Sequence, residues 1–204
     1  MAFEGLDRTG KTTQVFKTKH FLESAFNRKV AVFKFPDRTT AIGKQINSFL
    51  QNQIECEKEL IHLLFSINRW ELNKEIHGKL HEGYDVLLDR YAYSGVAYSH
   101  AQGLDFDWCI SPDKGLAKPD KVLYFKPSDI TDISKRAEYG SERYEREEFQ
   151  MKVAGVYEQK LMKKDWLIVN ANKTIDEVFG DIQAELRSII QGFKGGDVQS
   201  LDFK

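Results

Sequence analysis

The sequence predicts a three-layer α/β/α fold in which helices cover both faces of a five-stranded parallel sheet. Short apolar strands alternate with helical segments five times along the 204 residues, and no internal repeat interrupts the alternation. The motif G-x-x-x-x-G-K-[ST], a phosphate-binding loop, stands at residues 5–12, between the first predicted strand and the first predicted helix. A doubly wound sheet of this kind places its ligand site at the carboxyl ends of the strands.

Each predicted strand is a short run rich in β-branched, aliphatic or aromatic residues. The strands are expected at residues 1–4, 29–35, 84–89, 121–125 and 166–169. Apolar residues at helical spacing, together with capping signals, predict the helices. These are expected at residues 11–26, 41–50, 55–80, from 94 onward, 128–137, 147–163 and 174–190, with a charged hairpin at 135–145. Residues 1–192 are therefore predicted to form one domain, and residues 193–204 a loose tail.

The composition is that of a globular protein, with 41% apolar and 30% charged residues. The net charge of −1 gives no electrostatic reason to expect a nucleic acid or a membrane surface as partner. Cys56 and Cys109 form no C-x-x-C pair, which favours free thiols and a cytoplasmic location, with a nuclear pool left open. His77 and His81 have the spacing of a metal-binding pair, but the sequence offers no evident third ligand.

The phosphate-binding loop has a direct physical reading. Gly5 and Gly10 let the backbone curl so that several N–H groups point at one anion, and Lys11 adds a positive charge. The hydroxyl of Thr12 can bind the Mg²⁺ of a nucleotide. Asp89 closes an apolar strand, as does the acid that orders Mg²⁺ in phosphate-loop enzymes. The sequence therefore predicts a nucleotide site with Mg²⁺, although the loop alone leaves open transfer, hydrolysis or switching.

Two arginines follow neighbouring predicted strands, Arg38 after the second and Arg90 after the third. A guanidinium donates two parallel hydrogen bonds to a phosphate, so each arginine is a candidate for holding a second phosphate group. Either one alone is more simply explained as a surface salt bridge. Together, beside a phosphate-binding loop, they favour an acceptor that already carries a phosphate, which argues against a deoxynucleoside kinase.

Phe65 and Arg69 are four residues apart on the longest predicted helix and therefore share a face. Phe65 could stack on a flat base while Arg69 reaches an exocyclic oxygen of that base. Without other information the simpler reading is favoured, in which Phe65 is core and Arg69 pairs with a surface acid.

These residues together resemble thymidylate kinase of the eukaryotic and large-DNA-virus type, a P-loop nucleoside monophosphate kinase. The resemblance covers residues 3–176. It rests on the phosphate-binding loop and on segments 35–38 (Phe-Pro-Asp-Arg), 63–70 (ending Asn-Arg-Trp), 89–98 (Asp-Arg-Tyr-x-x-Ser-Gly), 115–120 and 142–145 (Glu-Arg-Tyr-Glu). Asn-Arg-Trp and Asp-Arg-Tyr-x-x-Ser-Gly are the most specific of these, whereas many families share the loop. It implies a P-loop NTPase fold, transfer of a phosphoryl group from ATP–Mg²⁺ to dTMP, a lid at about residues 135–148, and a homodimer.

The resemblance also implies roles for single residues. For dTMP, Asp7 would hold the sugar 3′-hydroxyl, Arg38 and Arg90 the phosphate, Phe65 and Arg69 the thymine, and Phe35, Tyr98, Tyr144 and Gln150 would complete the pocket. Tyr98 would exclude ribonucleotides by its bulk. For ATP, the implied set is Gly5, Asp7, Arg8, Thr9, Gly10, Lys11, Thr12, Thr13, Arg136 of the lid, and Asn172 and Lys173 of the adenine loop. Catalysis would rest on Arg8, Lys11, Asp89 and Arg90, with Thr12 and Asp89 on the metal.

Arg8 is the key position in this assignment, because a cationic side chain inside the loop would neutralise the charge of the γ-phosphate during transfer. Alternative functions remain open at this point. A GTPase switch needs N-K-x-D, whereas the chain offers Asn172-Lys-Thr-Ile-Asp176, one residue too long. An inactive binding protein and another nucleoside monophosphate kinase are the other two.

Overall fold

Five parallel strands in the order β2-β3-β1-β4-β5 form the central sheet of the described chain. The structure is a computed structural model and describes residues 1–131, 140–192 and 196–203. The strands are β1 Ala2–Gly5, β2 Val30–Lys34, β3 Asp85–Asp89, β4 Val122–Lys126 and β5 Leu167–Asn170. The short β1 pairs with β3 on one side and with β4 on the other, and all four of its residues are buried. The carboxyl end of β1, and with it the start of the phosphate-binding loop, therefore lies at the centre of the sheet.

Helices cover both faces of this sheet, as the sequence predicts. They are α1 Lys11–Phe26, α2 Ala41–Leu50, α3 Lys58–His81, α4 Ala92–Ala101, α5 Phe106–Ile110, α6 Glu147–Val156 and α7 Ile175–Gly192. A 3₁₀ turn, Ser111–Asp113, follows α5, and a π-helical turn, Tyr157–Leu161, follows α6. The predicted helix at 147–163 thus changes its hydrogen-bonding pattern at Val156.

The core has two halves because side chains alternate across each strand. Ala2, Leu88 and Tyr124 point into the half that α2, α3, α4 and α6 cover. Phe3, Leu87 and Phe125 point into the other half, beneath α1 and α7. The strands are thus apolar on both faces, which is the physical reason that their sequences read as continuous apolar runs rather than as alternating ones.

The prediction of a loose tail is wrong for residues 199–203. Leu201 is 1% exposed, and its backbone exchanges hydrogen bonds with Gly115 and Leu116. Ser200 forms an antiparallel bridge with Ala117, and the ring of Phe203 packs edge-on against Tyr93. An apolar side chain in the last residues, together with free backbone groups on a neighbouring loop, is enough to anchor the segment.

The predicted helix at 128–137 and hairpin at 135–145 lie partly outside the described residues, as does the expected lid. Within the described part, residues 140–146 form turns and bends without a strand. No helix of the described ranges is long and apolar enough to cross a membrane. The same ranges contain no group of three or more potential metal ligands, so His77 and His81 have no third partner there.

Candidate active site

The phosphate-binding loop joins the end of β1 to the start of α1. Gly5 has a φ of 135°, and a Cβ atom on it would lie 2.6 Å from the carbonyl oxygen of Phe125, so the loop requires glycine there. Gly10 caps α1 with a φ of 87° and without a capping side chain. Backbone N–H groups at such a helix start, aided by the helix dipole, form an anion site. The local sequence therefore builds a phosphate cradle.

The side chain of Lys11 folds back onto the phosphate-binding loop. Its side chain is buried, and its Nζ donates to the carbonyl oxygen of Leu6 and, at 3.1 Å, to Oγ1 of Thr9. Burial lowers the pKa of Lys11 to about 7, and the nearby positive charge of Arg90 adds to this effect. A bound anion would favour the charged form. The ammonium is therefore held where it can respond to phosphate.

Thr12 and Asp89 bring two oxygen ligands together at the edge of the loop. Oγ1 of Thr12 donates to Oδ2 of Asp89 at 2.6 Å, which joins the first turn of α1 to the end of β3. A hydroxyl and a carboxylate are oxygen donors of the kind that Mg²⁺ prefers. The pair fits a site that contributes two protein ligands and leaves the others to phosphate and water.

Asp7 is the centre of a hydrogen-bond network beside the loop. Its Oδ1 pairs with Arg90, and its Oδ2 accepts from Tyr98 at 2.9 Å and from Nε2 of Gln150 at 2.8 Å. Gln150 also accepts from the backbone N–H of Asp7 at 3.0 Å. Burial alone would raise the pKa of Asp7, but the charges of Arg90 and Lys11 and these hydrogen bonds lower it below its ordinary value. Asp7 is therefore an anchored carboxylate.

The two arginines predicted to bind phosphate differ in their surroundings. Arg90 has a φ of 65° and donates to the carbonyl oxygen of Gly5 at 2.8 Å and to Ser94 at 3.2 Å. Arg38 is 40% exposed and pairs with Glu142 across the cleft at 2.8 Å. Arg90 is therefore part of the rigid frame, whereas Arg38 is held by a carboxylate that substrate could displace.

A cleft opens beside the loop. Arg38 and Glu142 line its exposed side, and the buried Arg69 lies at its inner side. The remaining lining combines aromatic and polar residues, as in many ligand sites. These are Asp7, Phe35, Pro36, Leu50, Phe65, Arg90, Tyr91, Ser94, Gly95, Tyr98, Ser99 and Tyr144. The cleft therefore unites all but one of the residues predicted to contact dTMP, and the remaining one, Gln150, bonds to Asp7.

Arg69 has a partner that sequence reasoning missed. The expected alternative, pairing with a surface acid, is wrong because its partner is Asp113, which is fully buried. Two hydrogen bonds of 3.0 and 2.6 Å join the guanidinium to both oxygens of this carboxylate. Phe65 is half-buried and lines the cleft. No local pattern in the sequence marks Asp113, which follows Pro112 in a short 3₁₀ turn.

A second missed group lies beneath Arg90. Glu4 is fully buried in β1 and accepts hydrogen bonds from the backbone and hydroxyl of Ser94 and, at 2.9 Å, from Tyr157. Burial raises the pKa of Glu4, and the hydrogen bonds from Ser94 and Tyr157 partly offset this rise. The network ties the central strand to α4, whose first turn carries Ser94 and so supports Arg90.

Two of the residues predicted to bind the nucleotide, Asn172 and Lys173, do not line the cleft. Arg136 is outside the described residues. Lys173 pairs with Asp181, and Asn172 accepts from the backbone N–H of Ser128. The loop that holds Asn172 and Lys173 lies beside α1, because Gln14 donates to the carbonyl oxygen of Ile175 at 2.8 Å. This loop is thus next to the helix that begins at the phosphate cradle.

The fold and these groups define a class of protein. A phosphate cradle at the start of α1, an oxygen pair for a metal, and two arginines at a neighbouring cleft are the parts of a P-loop phosphotransferase whose acceptor carries a phosphate.

Comparison with known proteins identifies the family within this class. The family profile described as Thymidylate kinase matches residues 3–182. A thymidylate kinase of Dictyostelium discoideum is 48% identical over 182 residues, which cover 89% of this chain and 82% of that protein. The thymidylate kinase of Homo sapiens is 42% identical, with 90% and 87% covered. A solved thymidylate kinase structure from Candida albicans superposes with a TM-score of 0.88 at 38% identity, covering 98% of this chain and 96% of that one.

The chain therefore belongs to the thymidylate kinase family. It is an enzyme that phosphorylates dTMP to dTDP. This finding confirms the resemblance seen in the sequence and excludes the GTPase switch as the chain's class.

Proposed function

We propose that the phosphoryl donor is ATP with Mg²⁺, and that donor and acceptor meet at the phosphate-binding loop. The observation that carries this proposal is the divergence of two adjacent side chains. Asp7 turns into the cleft, where it contacts Arg90 and Tyr98, whereas Arg8 turns to Glu145 at the lid. One loop thus contributes to both substrate sites.

Phosphoryl transfer requires positioning and charge neutralisation more than covalent chemistry. Lys11 and the backbone N–H groups at the start of α1 hold the donor phosphates, and Arg8 leaves Glu145 to neutralise the group in transfer. Thr12 and Asp89 hold Mg²⁺, which when bound offsets the charge of the donor phosphates. The turn at residues 140–145 closes over the donor and excludes water.

The acceptor lies in the cleft with its phosphate between Arg38 and Arg90. The carboxylate of Asp7 holds the 3′-hydroxyl of the sugar, and Gln150 fixes this carboxylate. The hydroxyl of Tyr98 donates to Asp7 at 2.9 Å, and we propose that the bulk of its ring excludes a 2′-hydroxyl, which would make the cleft selective for deoxyribonucleotides. Phe65 stacks on the base, and Phe35 and Tyr144 form the walls.

A coupled ADP-release assay tests the acceptor, with dTMP, dUMP, thymidine and AMP compared at equal concentration. We expect the highest kcat/KM for dTMP and none above background for thymidine, because thymidine offers no phosphate to Arg38 and Arg90. Activity on AMP or thymidine in the absence of activity on dTMP would contradict the assignment. Replacing ATP by GTP in the same assay tests the donor.

The metal site has its own test. Asp89→Asn removes one charged oxygen ligand, so we expect a higher Mg²⁺ concentration for half-maximal activity, by about tenfold or more. Asp85→Asn is the matched control, because Asp85 lies at the amino-terminal end of the same strand, away from the loop, and pairs there with Arg28. An equal Mg²⁺ requirement in wild type and Asp89→Asn would remove Asp89 from the metal site.

We further propose that two copies associate through α3. Leu60, Leu63, Ile67 and Trp70 are 38–52% exposed and recur at helical spacing along one face of this helix. Ile67→Glu would place a charge in that face and should yield a monomer in size-exclusion chromatography with light scattering. Met151→Glu, at an apolar position on α6 that is even more exposed than Ile67, should leave the dimer intact. A monomeric wild-type protein would contradict the proposal.

A cytoplasmic location is proposed because Cys56 and Cys109 are free thiols, as is usual in a reducing compartment. Fluorescence microscopy of the tagged full chain tests it and would also reveal a nuclear pool.

A further inference from the structure

Arg69 and Asp113 form a two-pronged ion pair at the inner side of the cleft. Nε of Arg69 donates to Oδ1 of Asp113 at 3.0 Å, and Nη2 donates to Oδ2 at 2.6 Å. The side chains are 3% and 0% exposed. Parallel bonds of this kind fix the plane of a guanidinium as well as its position. The orientation of Arg69 is therefore set by Asp113 before any substrate binds.

Asp113 is itself held from two sides. Oγ of Ser66 donates to Oδ1 of Asp113 at 2.7 Å, and the 3₁₀ turn that carries Asp113 is braced by a hydrogen bond of 2.7 Å from Trp70 to the carbonyl oxygen of Pro112. Ser66, Arg69 and Trp70 lie on one helix, so α3 fixes both the arginine and its partner. The carboxylate has little freedom to follow a moving guanidinium.

The packing of α4 also limits the position of Arg69. A Cβ atom on Gly95 would lie 2.6 Å from Nη2 and 2.9 Å from Nη1, so only glycine leaves room for the guanidinium. Within the described residues, no protein acceptor is bonded to Nη1. Arg69 lines the cleft, and a guanidinium has donors only. The cleft therefore presents a fixed donor, with no acceptor of its own on this side chain.

Asp113 also offsets the desolvation cost of burying the Arg69 guanidinium, because an unpaired buried guanidinium would be strongly unfavourable. Because Asp113 balances its charge and fixes its position, the Arg69 side chain need not rearrange when a nucleobase binds. This lowers the free-energy cost of binding. A base with a carbonyl oxygen at this position gains a hydrogen bond. A base with an amino group there would place that donor against the guanidinium donor of Arg69, and both would lack an acceptor.

We propose that Asp113 is a positioning residue which, by fixing Arg69, makes the cleft select a 4-oxo pyrimidine over a 4-amino pyrimidine. The inference rests on the proposed placement of the base against Phe65 and Arg69. It extends that placement to a residue outside the cleft lining, whose effect on substrate is exerted only through Arg69.

The test is Asp113→Asn, assayed with dTMP and dCMP as acceptors and with ATP varied separately. We expect the KM for dTMP to rise about tenfold with kcat little changed, and the preference for dTMP over dCMP in kcat/KM to fall by a similar factor. The KM for ATP should stay within about twofold of wild type, since Asp113 is remote from the phosphate cradle. A general structural defect would raise both KM values together.

A second arm keeps the test decisive if Asp113→Asn does not fold. Ser66→Ala removes one hydrogen bond to Asp113 and leaves the ion pair in place, so a smaller, dTMP-specific rise of KM is expected. In an Arg69→Met background, Asp113→Asn should leave the dTMP preference unchanged, because its route of action is gone.

An unchanged dTMP preference in folded Asp113→Asn, or in Ser66→Ala where the former does not fold, would overturn the proposal. Equal changes in the presence and absence of Arg69 would overturn it as well. If wild type itself does not phosphorylate dTMP, the proposed function has failed, and this outcome is distinct from a wild type that is active but insensitive to Asp113.

Discussion

Nε of Arg8 lies 2.7 Å from Oε1 of Glu145, which ties the phosphate-binding loop to the described part of the lid. The other oxygen of Glu145 accepts backbone N–H groups from Gly140, Ser141 and Glu142 at 3.0–3.3 Å. Arg38 is paired in the same way with Glu142. Arg8 and Arg38, two of the three arginines that we propose bind phosphates, therefore each pair with a carboxylate of one turn, which balances their charge in the free protein.

Arg8→Ala should lower kcat by roughly 10² or more with little change in the KM for dTMP. The reason is that the contact of Arg8 strengthens as charge develops on the transferring group, whereas it does not touch the acceptor. Steady-state kinetics with both substrates measures this. Arg28→Ala is the control, because Arg28 pairs with Asp85 at the far edge of the sheet. Near-normal turnover of Arg8→Ala would move the role to Arg136, Arg143 or Arg146.

Arg38→Ala should raise the Kd for dTMP by about ten- to a hundredfold, through the loss of a charge-assisted bond to its phosphate. Stability should change little, since Arg38 is 40% exposed and exposed ion pairs contribute little. Isothermal titration with dTMP and thermal unfolding measure the two effects. Arg38→Lys, which keeps the charge but loses the fork, should fall between wild type and alanine. An unchanged dTMP affinity would place the acceptor phosphate elsewhere.

ATP binding should take up a proton near neutral pH. The pKa of Lys11 is lowered to about 7 in the free protein, and a bound polyphosphate raises it by favouring the charged form. ATP affinity should therefore be greatest below this pKa and decline as pH rises above it, toward the pKa of the complex. Titration calorimetry in two buffers of different ionisation enthalpy, between about pH 7.5 and about pH 9, measures the uptake. Lys11→Arg should abolish the uptake because arginine stays charged, and a wild type without uptake would refute the prediction.

Leu201→Ala should lower the free energy of unfolding by about 2–4 kcal/mol, because it truncates a core side chain that is 1% exposed. Urea unfolding measures the change. Gln199→Ala is exposed and two residues away, and it should change stability by less than about 0.5 kcal/mol. Equal stability of Leu201→Ala and wild type would show that the terminal segment does not stay packed against the domain in solution.

The sequence predicted most of the fold because the relevant signals are local. The five strands, the long helix α3 and the start of α1 follow from apolar runs, helical spacing and a glycine-rich motif, each contained in a short stretch of chain. The loop at residues 5–12 is the clearest case, since its phosphate chemistry is carried by consecutive residues. The family followed from several such segments taken together.

Contacts between distant residues were decided only by the tertiary structure. Arg69 and Asp113 are 44 positions apart, Arg8 and Glu145 137, and Asp7 and Gln150 143. No periodicity or spacing rule marks one acid among the 31 of this chain as the partner of a given arginine. The packing of Leu201 was missed for the same reason, because the few apolar residues of the terminal segment carry no local signal of what they pack against. The sequence by itself thus determined the elements and the phosphate chemistry. The tertiary structure decided which charges meet, because that depends on the register and the crossing of elements that are remote along the chain.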